Sequence, residues 1–247
     1  MSPFKLTYKT FGNKAILIEW PLEISETILY DILKFKQRIK NHYSDFYDIS
    51  TAYNSLTIYL NKELLNIDKE IDILNKIYLL GLDKNLSNNY IWHIPVCYDK
   101  TLAKDLSAFL KLKNLDLKQL ISSHSAPLYT VYFLGFLPGF PYLGGLPKEL
   151  HAPRKSQPEL HIAKGAVGIG GQQTGIYPQD SPGGWHIIGK TPLSLFDVSN
   201  NPPCLLKAGD KIKFEPVSVT TFNEIKNQIV AHTYTFKKEA LCLEYKS

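Results

Sequence analysis

The stretch LYTVYFLGFLPGFPYLGGLP, Leu128 to Pro147, marks where the chain changes character. Its first half is a run of aromatic and β-branched residues without helical spacing, the composition that suits a pleated, half-buried strand. Its second half places glycine or proline every few positions, which sets tight turns. The same grammar continues as AVGIGG (Ala166 to Gly171), WHIIG (Trp185 to Gly189), LSLFDV (Leu193 to Val198) and KIKFEPV (Lys211 to Val217). Short strands at close intervals, each bounded by turn residues, predict a β-barrel or sandwich for the second part of the chain. One helix interrupts it at Thr221 to Ala231, where Thr221 followed by Glu224 reads as a capping box ahead of Ile225, Ile229 and Val230. It is expected to pack over one side of the barrel.

Towards the N-terminus the periodicity is different, and the order strand, helix, strand, helix is expected. KAILIEW (Lys14 to Trp20) reads as a buried strand. Ile24, Ile28, Leu29, Ile32, Phe35 and Ile39 form one helical face, with Ser25 as its cap. After an irregular stretch come SLTIYL (Ser55 to Leu60) as a strand and Ile67, Ile71, Leu74, Ile77 and Tyr78 as an amphipathic helix that Gly81 would stop. The Asn-rich turn KNLSNN (Lys84 to Asn89) places a domain boundary, giving residues 1–86 and 87–247. Beyond it, YIWHIPVCY (Tyr90 to Tyr98) is expected to be a strand, and Leu102 to Leu112 and Leu115 to Ile121 two short helices. The fold class is therefore α+β.

Composition narrows the function classes. Hydrophobic content of 44% against 21% charged residues is ordinary globular usage, so the whole chain is expected to fold. No apolar run approaches a membrane span and no targeting segment is read at the start, so no membrane role and a cytoplasmic location are expected. Cys97, Cys204 and Cys242 have no metal or redox spacing and read as reduced thiols; no metal or prosthetic group is expected. The net charge of +5 is spread over isolated lysines, which argues against nucleic-acid binding.

Two glycine motifs invite a nucleotide reading and neither supports it. Gly184 to Thr191 (GWHIIGKT) satisfies GxxxxGK[ST], but a phosphate cradle needs a strand before it and a helix after it. Here a turn precedes and LSLFDV follows. Gly165 to Gly171 resembles a dinucleotide loop only loosely, because the third glycine would fall on Gln173. It reads instead as a strand whose glycines admit close approach. His124, His151, His161 and His186 have no metal spacing, and there is no GxSxG, HExxH or paired-carboxylate arrangement. Self-contained hydrolysis therefore has no support in the sequence. Of the histidines, His124 is singled out because HSAPLY places it at a helix-to-strand junction. The candidate functional surface comprises His124, Phe136, Gly139, Phe140, Gln173, Thr174, Tyr177, Ser181, Gly184, Trp185 and Lys190. Its aromatic residues offer contact area at low entropic cost. Tyr177 and Lys190 suit a carboxylate or phosphate, and Gln173 suits an amide.

Four segments together resemble the family of KipI, PxpB and allophanate hydrolase subunit 1: HSAPLY, VYFLGFLPGFPYLGGL, GAVGIGGQQTGIYP and SPGGWHIIGKTPLSLFD. GNKAILIEW and IPVCYD add support, so the resemblance runs through essentially the whole chain. It implies a small α/β N-terminal domain followed by a cyclophilin-like β-barrel domain, without prolyl isomerase activity. It implies the role of the B subunit in a 5-oxoprolinase that converts 5-oxo-L-proline to L-glutamate. The complex would use ATP and include a PxpC-like cyclophilin-fold subunit and a LamB-like PxpA subunit. The chain by itself would be inactive. Relatives often carry arginine where this chain has Lys190. A KipI-like inhibitor of a sensor histidine kinase and the carboxyltransferase component of a biotin-dependent urea carboxylase are the alternatives that the same resemblance raises.

Overall fold

In the computed structural model, which describes residues 4–80 and 89–241, the chain divides into two units, Met1–Ser87 and Asn88–Ser247. The expected boundary at 86/87, the Gly81 stop, most of the Asn-rich turn and Cys242 lie outside the described residues. No helix among the described residues is long and apolar enough to cross a membrane, and no group of three or more His, Cys, Asp or Glu residues among them is placed to hold a metal ion.

The first unit is built from β1 (Thr7–Thr10), β2 (Ala15–Glu19), α1 (Glu26–His42), β3 (Phe46–Thr51), β4 (Ser55–Leu60) and α2 (Ile67–Tyr78). Its antiparallel sheet runs in the order β1-β2-β4-β3. Period-two burial in β4 turns Leu56, Ile58 and Leu60 inward, where they meet Ile28, Ile32, Phe35 and Ile39 of α1. Ser25 caps α1 through the Ile28 amide at 3.3 Å, but Ile24 precedes the helix and is 58% exposed, so it leaves the predicted face. The stretch read as irregular holds β3, whose polar sequence buries only Ile49 and so carries no apolar alternation. Asp31 accepts from Trp20 Nε1 at 2.7 Å and from the Tyr78 hydroxyl at 2.5 Å, tying α1 to the residue that follows β2 and to α2 at once.

The second unit contains β5 (Tyr90–Val96), α3 (Leu106–Lys113), α4 (Leu117–Ser125), β6 (Tyr129–Leu134), β7 (Pro141–Gly144), β8 (Glu159–Ile162) and β9 (Ala166–Gly170). It continues through β10 (Gln173–Ile176), β11 (Ser181–Gly183), β12 (His186–Lys190), β13 (Lys211–Pro216), α5 (Val219–Val230) and β14 (Lys238–Ala240). Eight strands form one sheet in the order β12-β9-β10-β7-β6-β13-β5-β14, and β8 pairs with β11. The sheet curls far enough that Cys97, just past β5, exchanges backbone hydrogen bonds of 2.9 and 3.0 Å with Lys190 of β12. The core it wraps includes Trp92, Val96, Tyr129, Val131, Leu143, Ile169, Ile188 and Phe214.

Three helix predictions shift. The Asp99 side chain accepts from the Thr101 amide at 2.8 Å and holds 99–103 as a capped turn, so the first short helix starts at Leu106 rather than Leu102. Asp116 and Gln119 form a capping box, which starts α4 at Leu117 and carries it to Ser125. The late helix begins at Val219 because Ser218, not Thr221, is its N-cap, accepting from the Thr221 amide at 3.1 Å. Ile225 and Ile229 of this helix pack against the core, whereas Val230 is 74% exposed.

LSLFDV is not a strand. Phe196 makes one bridge to Cys204, flanked by bonds from the Asp197 amide to the Pro203 carbonyl and from the Leu205 amide to the Leu195 carbonyl, both at 2.9 Å, and Pro202 and Pro203 have no amide hydrogen to donate in return. Gly184 to Thr191 lies largely on β12 with no helix after it, so the GxxxxGK[ST] match has no cradle.

Asp210, only 1% exposed, ties the parallel β5 and β13 pair at their start. It accepts from the Tyr90 amide and Trp92 Nε1, both at 3.0 Å, and from the Lys207 amide at 3.1 Å. Asp210→Ala leaves three donors unpaired and is expected to cost about 3 kcal/mol or more in chemical denaturation; an unchanged midpoint would refute this role.

Candidate functional site

The glycine-rich strands have a direct steric purpose. A Cβ on Gly170 would lie 2.4 Å from Trp185 Cδ1, and one on Gly175 would lie 3.0 Å from Trp185 Cζ3. The indole therefore occupies space that side chains would fill, and Trp185 is 5% exposed. Around it, Phe140, Tyr177 and Trp185 meet edge to face, with centroids 5.3 Å (Phe140–Tyr177), 5.4 Å (Phe140–Trp185) and 6.5 Å (Tyr177–Trp185) apart. Arg154 lies 5.9 Å from the Trp185 ring. Burial pushes the Tyr177 hydroxyl up to about 12, so at neutral pH it remains protonated.

One edge of this aromatic nest reaches solvent through a strained turn. The Leu137 amide donates to the Gly135 carbonyl at 2.7 Å, and Phe136 between them has φ 65°. An i to i+2 bond around a positive φ marks a γ-turn that non-glycine residues rarely adopt. Phe136 is 63% exposed and packs edge to face on Phe140 at 5.7 Å. Gly139, at φ 80°, closes the loop where a Cβ would lie 2.7 Å from the Cβ of Phe196.

His124 belongs to a different environment. It sits in the last turn of α4 with no exposure, stacked on Phe214 at 4.6 Å. The Thr174 hydroxyl donates to the Gly168 carbonyl at 3.0 Å, so it accepts from His124 Nε2 at 2.9 Å. Nδ1 is then left to accept from the Tyr98 hydroxyl at 2.7 Å. Every polar atom in this chain of hydrogen bonds is paired, and burial lowers the His124 pKa to about 3. The imidazole is a neutral core residue rather than a poised base.

The other predicted residues divide between these regions. Gln173 and Thr174 begin β10, but Thr174 turns inward to His124. Ser181 is nearly buried, its hydroxyl donating to the Pro182 carbonyl at 3.1 Å. The Gly184 carbonyl accepts from the Lys155 amide at 2.8 Å. Lys190 ends β12 and lines a notch of about 170 Å³.

Two features went unpredicted. Lys155 bonds Asp105 and Glu159, both at 2.6 Å, while Asp105 also accepts from the Ile187 amide at 2.8 Å. Hydrogen bonds from Lys104 and Lys155 hold the Glu159 carboxyl below its usual range. The second is a cavity of about 740 Å³ whose walls include Tyr90, Trp92, Phe196 and Phe236, with Lys238 Nζ 4.2 Å from the Tyr90 ring. The turn residues of Asn200 to Cys204 were its one signal in the sequence; its aromatic walls lie more than a hundred positions from that turn at Tyr90 and Trp92, and no spacing rule joins them.

A curled antiparallel-rich sheet carrying a glycine-seated aromatic nest defines a class, and comparison with known families places it. The family described as carboxyltransferase domain, subdomain C and D, matches residues 6–206. The chain belongs to this family, within the KipI/PxpB group. It is 40% identical to the 5-oxoprolinase B subunit of Bacillus subtilis (strain 168) over 183 residues, covering 74% of this chain and 75% of that one. It is 41% identical to the 5-oxoprolinase B subunit of Haemophilus influenzae over 203 residues, covering 82% and 94%. The crystal structure of TTHA0988 superposes with a TM-score of 0.72 at 29% identity; 83% of this chain is covered but only 40% of that longer one.

Because His124 is neutral when folded and its ordinary pKa is near 6.5, the unfolded state binds the extra proton below that pH. The second unit should lose stability as pH falls from about 6.5 towards 3, by up to ~1.4 kcal/mol per pH unit. His124→Gln should flatten the pH profile of the unfolding midpoint; parallel profiles would contradict the assignment.

Proposed function

We propose that this chain is the B subunit of an ATP-dependent 5-oxoprolinase, which opens 5-oxo-L-proline to L-glutamate. The observation that carries the reading is the identity of 38–41% to three 5-oxoprolinase B subunits across 74–83% of the chain. The reading includes a PxpC-like cyclophilin-fold subunit and a LamB-like PxpA subunit as partners, ATP consumed by the complex, and a cytoplasmic setting. It also takes the chain as a domain over 1–86 and a cyclophilin-like barrel over 87–247. In support of the barrel stand the curl of the eight-stranded sheet and the bridge from Cys97, just past the next-to-last strand β5, to Lys190 of the edge strand β12.

Dependence on partners is consistent with the chemistry of the groups described above. His124 is neutral and enclosed, Tyr177 stays protonated, and the thiols of Cys97 and Cys204 are pushed up, chiefly by burial. These groups shape and bind rather than attack. The aromatic nest, with Phe136, Gly139, Gln173, Ser181 and Gly184 around it, is the surface proposed to serve the shared site.

ATP-dependent conversion of 5-oxoproline to glutamate by the assembled subunits, each omitted in turn, is expected to vanish without this chain. Equal turnover in its absence would overturn the proposal. Phe136→Gly relieves the γ-turn and is expected to leave stability unchanged or raise it by up to about 1 kcal/mol while lowering turnover or assembly. Full turnover in that variant would remove Phe136 from the functional surface.

A further inference from the structure

At the seam where β5 meets β12 the chain leaves the sheet. Past Cys97 it enters the turn held by Asp99, and this departure opens the notch of about 170 Å³. Its floor is apolar, formed by Leu102, Ile162, Ala166 and Ile187. The last three also pack in the cluster that contains Phe140, Tyr177 and Trp185, so the notch backs onto the aromatic nest.

The cations around the notch are not equivalent. Lys104 is occupied by Glu159 and by the His161 carbonyl. His161 faces Asp180 at 3.9 Å. Lys190 is half-buried with its backbone fixed on both sides, yet among the described residues its ammonium has no carboxylate or hydrogen-bond acceptor. With no counter-ion among the described residues, the Lys190 ammonium is available to pair with an anion held in the notch. Thr101 also lines the notch; its hydroxyl donates to Asp99 at 2.6 Å, which leaves the oxygen free to accept. The volume is that of roughly five or six waters of the liquid. It matches a small ring with one carboxylate.

We propose that this notch binds a small monocarboxylate, with Lys190 as its counter-ion and Thr101 accepting from a ligand N–H. Resting on the function proposed above, the ligand is 5-oxoproline, whose lactam supplies the N–H and whose single carboxylate meets Lys190.

The test is calorimetric titration of the full chain with 5-oxoproline and with 2-pyrrolidone, the same lactam without the carboxylate, for wild type, Lys190→Gln and Lys190→Arg. Wild type is expected to bind 5-oxoproline, with affinity about tenfold or more weaker for 2-pyrrolidone and for Lys190→Gln, and retained in Lys190→Arg. Matching thermal unfolding of the variants establishes that the fold is intact. Equal binding by Lys190→Gln, or of the two lactams, overturns the site. In the reconstituted complex Lys190→Gln should raise KM for 5-oxoproline and leave KM for ATP unchanged; an unchanged KM for both also overturns it. If turnover proves independent of this chain, the functional reading fails separately, and titration with proline and acetate decides the notch. Lys190-dependent binding of either supports it, and no Lys190-dependent binding of any of these carboxylates overturns it.

Discussion

The indole of Trp185 lies against strands stripped of side chains, and the outer half of the second unit is arranged around that contact. Gly168, Gly170 and Gly175 leave the room, and Phe140 and Tyr177 close in edge to face. Burying an indole of this size contributes on the order of 5 kcal/mol before entropy is counted. It also offsets what glycine loses by conformational freedom in a strand. Because the ring seals the sheet's outer surface, the Gly135–Phe140 loop has an aromatic base to stand on. That base holds Phe136 in a backbone conformation it would not choose alone.

Inside the same sheet the problem is polar satisfaction. His124, Thr174 and Asp210 are all nearly or wholly enclosed, and each is completed by partners far away in sequence. The chain Tyr98–His124–Thr174–Gly168 joins the segment after β5, helix α4, β10 and β9, while Asp210 joins β13 to β5. Such networks specify register, since a slipped strand would strand a donor or acceptor in the core. The buried histidine is thereby held in one tautomer and one orientation by Tyr98 and Thr174.

The seam between β5 and β12 is where structure and proposed chemistry meet. One pair of backbone bonds joins the segment after β5 to the edge strand β12, and the chain's departure beside it leaves Lys190 at a small notch with an apolar floor. A lysine at this position supplies a point charge without the planar fork of an arginine. The notch's floor and the aromatic nest share Ile162, Ala166 and Ile187, so ligand binding on one side and partner contact on the other would act through the same packed residues.

Much was legible from the chain alone. The α1 face, the β4 alternation and the glycine-punctuated strands follow from local periodicity, because helix and strand place every third or every second side chain on one face. The failures were local competitions: β3 hid behind polar residues, LSLFDV lost its ladder to two prolines, and nearby caps moved the starts of α3, α4 and α5. Motif spacing also determined which residues to watch, among them Phe136, Trp185 and Lys190. What tertiary structure alone decided was their division of labour. His124 and Thr174 turned inward, Phe140, Tyr177 and Trp185 became a nest, and Lys190 was left without a partner among the described residues. Those outcomes depend on how a curled sheet brings distant strands into register, and no rule that acts along the chain encodes that pairing.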